Sequence, residues 1–150
     1  MKYQVELIID LPRDKVIKKM DNVDNMKHWQ SGLKSAEHLS GTPGQIGAKM
    51  QLNYNFGKRE MQLVETITKQ NFPEEFHANY ETKGMLNIQK NRFETLPDGK
   101  TKWISSCEFI PSGFIMQIMT FLMPGTFKKQ SKKYMEDFKN FAENGTSVAK

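Results

Sequence analysis

SGFIMQIMTFLMPGTFKKQSKKYMEDFKNFAEN, residues 112–144, is the stretch whose reading decides the fold. In its second half Phe127, Ser131, Tyr134, Phe138 and Phe141 with Ala142 recur at steps of three and four, the spacing of one helical face. Lys128, Lys129, Lys132, Lys133, Glu136, Asp137 and Lys139 take the other face. Gly125 or Thr126 can open this helix, and Asn144-Gly145 supplies a left-handed stop. Roughly eighteen residues rising 1.5 Å each make a rod of roughly 28 Å, about the width of a small domain. Each large apolar side chain buried on it contributes about 1.5–3 kcal/mol, so the apolar face needs a broad partner. Almost everything upstream reads as strand.

Moving outward to the N-terminus, Tyr3, Val5, Leu7 and Ile9 alternate with Lys2, Gln4 and Glu6, a strand with one buried face. Asp10-Leu11-Pro12 reads as a cap before a short helix over about 12–21, with Val16, Ile17 and Met20 on its apolar side. A second short helix covers 25–29 and stops at Gly32, with Trp29 as a packing anchor beside a solvent-facing His28. Ser40-Gly41-Thr42-Pro43-Gly44 is turn chemistry between two strands. Residues 49–56, 60–69, 76–82, 85–96 and 101–110 follow as strands, and Pro97-Asp98-Gly99-Lys100 joins the last two. The order is strand, two short helices, six strands, long helix. It predicts an α+β fold of one domain over 1–150, a curved antiparallel sheet of about seven strands with the helix on one face.

The totals agree with one domain: 150 residues suffice for a substantial core. Net charge is +5, spread along the chain, and points to a solvated surface rather than a nucleic-acid footprint. The lone Cys107 rules out an internal disulfide and suits a reducing compartment. The N-terminal MKYQVELIID is acidic too early to be a signal peptide, and 114–123 is too short to span a bilayer. A cytoplasmic protein, monomeric or weakly dimeric, is the expectation.

This order of elements resembles the helix-grip fold of the START-related SRPBCC superfamily, in particular its polyketide cyclase/dehydrase-like and Bet-v-type allergen-like ligand-binding members. The residues that carry the resemblance are Ile9-Asp10-Leu11-Pro12 with Lys15-Val16-Ile17, Trp29, Gly47 and Val64-Glu65-Thr66-Ile67. Pro73, Asp98-Gly99-Lys100-Thr101-Lys102-Trp103 and Phe138-Lys139-Asn140-Phe141-Ala142-Glu143 complete it, over about residues 2–145. The resemblance implies a cavity between helix and sheet. Its members include lipid carriers, aromatase/cyclases, chaperone activators and coenzyme-Q-binding proteins, so it implies no single reaction.

The residues themselves point to a pocket. If Phe93 faces inward, alternation turns Met85, Asn87, Gln89 and Asn91 inward too. Trp103 and Phe109 bring Ser105 and Cys107, and Glu65 shares a face with Met61, Leu63 and Ile67. Unpaired buried polar groups cost about 1–3 kcal/mol each, so a solid core would not readily take several amides and a carboxylate. An apolar cavity with a few convergent polar groups would, unless a bulge turns the amides outward. Trp29, Tyr54, Tyr80, Phe127, Tyr134, Met119 and Met123 complete the expected lining. The apolar run 114–123 reads as a lid, as core, or as a shallow membrane contact helped by the lysines that follow.

Catalytic signals are sparse. The three histidines lie far apart, and no HExxH, GxSxG, phosphate loop or metal-ligand cluster is present. Glu65 is the one weak acid/base candidate, because an apolar pocket raises a carboxyl pKa. His77 falls on the face opposite Tyr80. No cofactor, metal or nucleic-acid partner is expected. Binding or transport of a small hydrophobic molecule (a lipid, isoprenoid or polyketide-like compound) is the leading reading. A cyclase/dehydratase-like enzyme using Glu65 with Tyr54 or Tyr80 is the alternative, and a protein- or membrane-interaction module the third.

Overall fold

Period-two alternation makes most of the chain upstream of residue 112 strand with an apolar and a polar face, and the strands all pair antiparallel. The computed structural model describes residues 1–122 and 124–149. In chain order it has β1 Lys2–Ile9, α1 Arg13–Met20, a 3-10 turn Val23–Asn25, α2 Met26–Trp29, β2 Leu33–Ser40, β3 Lys49–Phe56 and β4 Arg59–Asn71. Then follow β5 Glu75–Thr82, β6 Met85–Thr95, β7 Thr101–Pro111, α3 Phe114–Leu122 and α4 Pro124–Asn144.

The strands lie in the order β1-β7-β6-β5-β4-β3-β2. Since β1 and β2 are opposite edges, residues 10–32 must carry the chain across six interstrand gaps, about 29 Å if flat. Curvature shortens that path, and α1 and α2 cross it on the side that α4 occupies. Gly32 ends the crossing at φ +86°, where a Cβ would lie 2.6 Å from the Phe56 ring, so both conformation and space require glycine.

The main core forms where β1, α1, the β6–β7 pair and α4 meet. Val5, Ile9, Val16, Phe93, Trp103, Met135, Phe138 and Ala142 are all buried there. Phe138 has no exposed surface, and its ring meets Trp103 and Trp29 edge-on at 5.5 and 5.2 Å. A smaller cluster of Met26, Leu52 and Tyr54 fills the other end.

Several local expectations change. Met135, absent from the face read off the sequence, is buried at 3%, whereas Phe127, Ser131 and Tyr134 are half-buried, so α4 is rotated toward the Met135–Phe138–Ala142 side. Asp10 does not cap α1; Pro12 holds that position, and the Asp10 backbone N–H donates to Glu143 instead. His28 is not turned to solvent: its ring stacks on Phe141 at 5.3 Å, and Nδ1 lies 2.8 Å from Ser147 Oγ. Burial as core is also overturned for four residues of the run 114–123; Met123 and the side chains of 115, 119 and 120 lie outside the described residues. Phe114, Ile118, Phe121 and Leu122 are 77%, 40%, 83% and 68% exposed.

Candidate functional site

β6 pairs with β5 and β7 without a register shift, so no bulge turns its amides outward. Met85, Asn87, Gln89, Asn91 and Phe93 therefore share the face toward α4. Pairing sets them in rows. Met50, Glu65, Tyr80, Asn87 and Phe109 lie side by side across five strands. Ile67, Ala78, Gln89, Cys107 and Tyr3 form the next row, and Asn91 with Ser105 and Val5 the third. Phe93, Trp103 and Leu7 form the fourth.

β4 does contain an irregularity, between Ile67 and Lys69. The extra residue switches Lys69 to the outer face, where its Nζ pairs with Glu75 at 3.1 Å. Without it, strict alternation would send that ammonium inward beside Glu65. His77 is also on the outer face, with Nε2 3.1 Å from Glu75.

The rows differ in how well they are sealed. Asn91, Phe93, Trp103 and Ser105 are buried, and Trp103 Nε1 donates to Asn91 Oδ1 at 3.0 Å. Tyr80, Asn87, Gln89 and Phe109, with Met61 and Leu63 beyond them, keep accessible surface although they face inward. Between these zones runs a satisfied polar strip. Tyr3 donates to the Phe127 carbonyl at 3.0 Å and sits 2.5 Å from Ser131 Oγ. Cys107 lies 3.7 Å from Ser105 Oγ. Tyr54 donates to Gln30 Oε1, and Phe109 packs on Phe127 with centroids 4.7 Å apart.

Two interior polar atoms have no hydrogen-bond partner among the described residues: Asn87 Oδ1, an acceptor, and Trp29 Nε1, a donor. An orphaned buried group of this kind costs about 1–3 kcal/mol. Burial pushes the Glu65 carboxyl up despite the hydrogen bond from Tyr80. Burial first, then the Glu65 carboxylate, pushes the Tyr80 phenol well above its usual range. Tyr54 rises for the same leading reason, with Tyr134 and Glu65 adding to it, and burial raises Tyr134. The lining thus favours uncharged forms: a carboxyl biased toward its acid and un-ionised phenols.

Of the residues expected to line a site, Glu65, Tyr80 and Asn87 fall in one row, with Gln89 and Cys107 in the next and Met61 and Leu63 beside Glu65 on β4. Trp29 and Tyr54 join from α2 and β3. Asn91, Phe93, Trp103 and Ser105 belong to the packed zone instead. Phe127 and Tyr134 are half-buried on α4. Met123 and the Met119 side chain lie outside the described residues. Sequence reasoning missed Met50, Gln30 and Tyr3. Met50 and Tyr3 were legible as inward residues, but only pairing shows whose neighbours they are; nothing local marks Gln30. A shallow cleft of about 170 Å³ along β2–β4 touches this region through Tyr54 and Met61, and one of about 160 Å³ lies between the segment 23–27 and the start of β2. Among the described residues no three His, Cys, Asp or Glu side chains converge to hold a metal ion.

No protein-family model matches this chain, and no curated protein does. Solved structures do. Ara h 8.0201 aligns with a TM-score of 0.74 at 14% identity, covering 95% of this chain and 97% of that one. Ginseng major latex-like protein 151 from Panax ginseng gives 0.70 at 12%, covering 95% and 97%. An uncharacterized protein from Rhizobium leguminosarum gives 0.76 at 11%, covering 95% and 94%. Likeness at this identity is one of fold: a seven-stranded antiparallel sheet gripping a long C-terminal helix.

Proposed function

We propose that this chain, which has the helix-grip fold of the Bet v 1-like, SRPBCC type, binds a small hydrophobic molecule between the sheet and α4. The observation that carries the reading is the two orphaned interior polar atoms, Trp29 Nε1 on α2 and Asn87 Oδ1 on β6, together with the partly uncovered inner sheet face that holds Met61, Leu63 and Phe109. Apolar surface supplies the attraction, and one donor and one acceptor fix orientation. A neutral ligand with a hydroxyl or carbonyl suits this lining better than an anion, because the burial that disfavours the ionised forms of Glu65 and Tyr80 disfavours any buried charge. Lipid, isoprenoid and polyketide-like aromatic molecules all meet that description.

The test is native mass spectrometry of the protein purified without detergent, followed by titration with a hydroxylated polycyclic aromatic and its deoxy analogue. The hydroxylated compound should bind more tightly by about fivefold, the worth of roughly one hydrogen bond. Asn87→Leu should remove that preference while retaining the deoxy compound. No mass adduct and no saturable binding of either compound would reject the reading.

A second reading, cyclase- or dehydratase-like acid/base chemistry, is favoured by the Glu65–Tyr80 hydrogen bond inside an apolar site. A carboxyl that burial biases toward its acid form can donate a proton to a bound carbonyl. With a turned-over substrate in hand, Glu65→Gln should abolish the rate, and the wild-type rate should fall on the alkaline limb of its pH profile as the carboxyl loses its proton. Unchanged turnover would leave binding alone.

A further inference from the structure

Residues 111–127 contain no charged side chain, and no acidic residue occurs between Glu108 and Glu136. In that stretch α3 turns its apolar side outward. Phe114, Ile118, Phe121 and Leu122, at steps of four, three and one, make a single helical stripe, and three of the four are more than two-thirds exposed. The other side of α3 is anchored at the β5–β6 turn. Ser112 N–H donates to the Gly84 carbonyl at 2.9 Å, and a Cβ on Gly84 would lie 2.9 Å from Met116 Cγ. Beside the stripe, the first turns of α4 expose Lys128, Lys129, Lys132 and Lys133. Of these only Lys133 is ion-paired among the described residues, to Asp137 at 2.7 Å.

We infer that this face docks on the surface of an anionic phospholipid bilayer. α3 lies in the interfacial plane with Phe114, Ile118, Phe121 and Leu122 at the boundary between headgroups and acyl chains, and the α4 lysines meet the phosphates. Charge selects this occupant. A second copy docking face to face would bring two clusters together in which Asp137 pairs only Lys133, leaving Lys128, Lys129 and Lys132 to repel their counterparts, whereas anionic headgroups neutralise them. The contact is peripheral: α3 is roughly 14 Å long, and no helix among the described residues is long and apolar enough to cross a membrane. The inference does not depend on an occupied site beneath α4.

Co-sedimentation with sonicated vesicles tests it, comparing pure phosphatidylcholine with an equal mixture of phosphatidylcholine and phosphatidylglycerol at low and high salt. The wild type should pellet with the anionic vesicles at low salt and be released at high salt. Phe114→Ser with Phe121→Ser should lower the partition constant at least about tenfold. Lys128→Gln with Lys129→Gln and Lys132→Gln should lower it by about a hundredfold, since each surface lysine is worth about fivefold. These side chains are exposed, so thermal midpoints should stay at the wild-type value and separate lost docking from lost folding. Equal recovery of the wild type with both vesicle types overturns the inference. So does an absence of pelleting together with a concentration-dependent dimer that Phe121→Ser abolishes, which would assign the stripe to self-association.

Discussion

Asn87 and Asn91 stand four residues apart on one face of β6, under the same helix, in opposite surroundings. Asn91 is 6% exposed, and its Oδ1 takes the indole hydrogen of Trp103, whose ring packs against Phe93 and Phe138. Asn87 sits between Tyr80 and Phe109 with its Oδ1 buried and unpartnered. One zone of the helix–sheet interface is thus filled and satisfied; the other carries a polar atom with no partner among the described residues. The same strand serves stability at one end and, under the proposed function, recognition at the other. An amide is a structural element where the packing supplies its partner and a reading head where it does not.

The largest expected difference between the zones comes from removing the central ring of the filled one. Phe138→Ala should cost about 3–5 kcal/mol, read as a lowered urea midpoint, because Trp29 and Trp103 both lose their edge contact and little can collapse into the gap. An equally large loss for Leu63→Ala, in the open zone, would erase the distinction. Asn91→Leu should cost about 1–3 kcal/mol by stranding the Trp103 N–H, and restoring the loss by Trp103→Phe in the same chain would identify that bond as the cause.

Glu65 sharpens the comparison through pH. Its folded pKa lies above the ordinary 4.5 through burial. The stability it contributes is therefore fully present below the unfolded value and is lost as pH rises through the raised folded one. Glu65→Gln should flatten that part of the profile, so that mutant minus wild-type stability grows from acid toward neutral pH in urea titrations. A constant difference across the range would mean that the carboxyl does not sense burial. The smallest effect is expected at Asn87. Asn87→Leu replaces an orphaned acceptor, so stability should be unchanged or rise by up to about 1 kcal/mol, in contrast with the same substitution four residues away. A loss equal to that of Asn91→Leu would show that Asn87 is satisfied in the folded chain.

Much of this architecture was written in local pattern. Alternation at 2–9, 49–56 and 85–96 and the turn at Pro97-Asp98-Gly99-Lys100 predict strands that the structure places within a residue or two. The three-and-four spacing after Gly125 predicts α4, since period two and period 3.6 are properties of a segment alone. Alternation also sufficed to turn Asn87, Gln89, Asn91, Ser105 and Glu65 inward. What it could not supply is neighbourhood. That Asn91 Oδ1 meets Trp103 while Asn87 Oδ1 finds no hydrogen-bond partner among the described residues, that Tyr80 hydrogen-bonds Glu65, and that Gln30 reaches Tyr54 depend on register and on the angle at which α4 crosses the sheet. The same holds for α3. Its apolar residues at 114, 118, 121 and 122 predict an apolar face, but whether that face meets the sheet or the solvent depends on where the chain must go between β7 and α4. The sequence by itself determined which residues share a face. Only the tertiary structure decided what each face touches, because contact energies arise between segments and leave no periodicity within one.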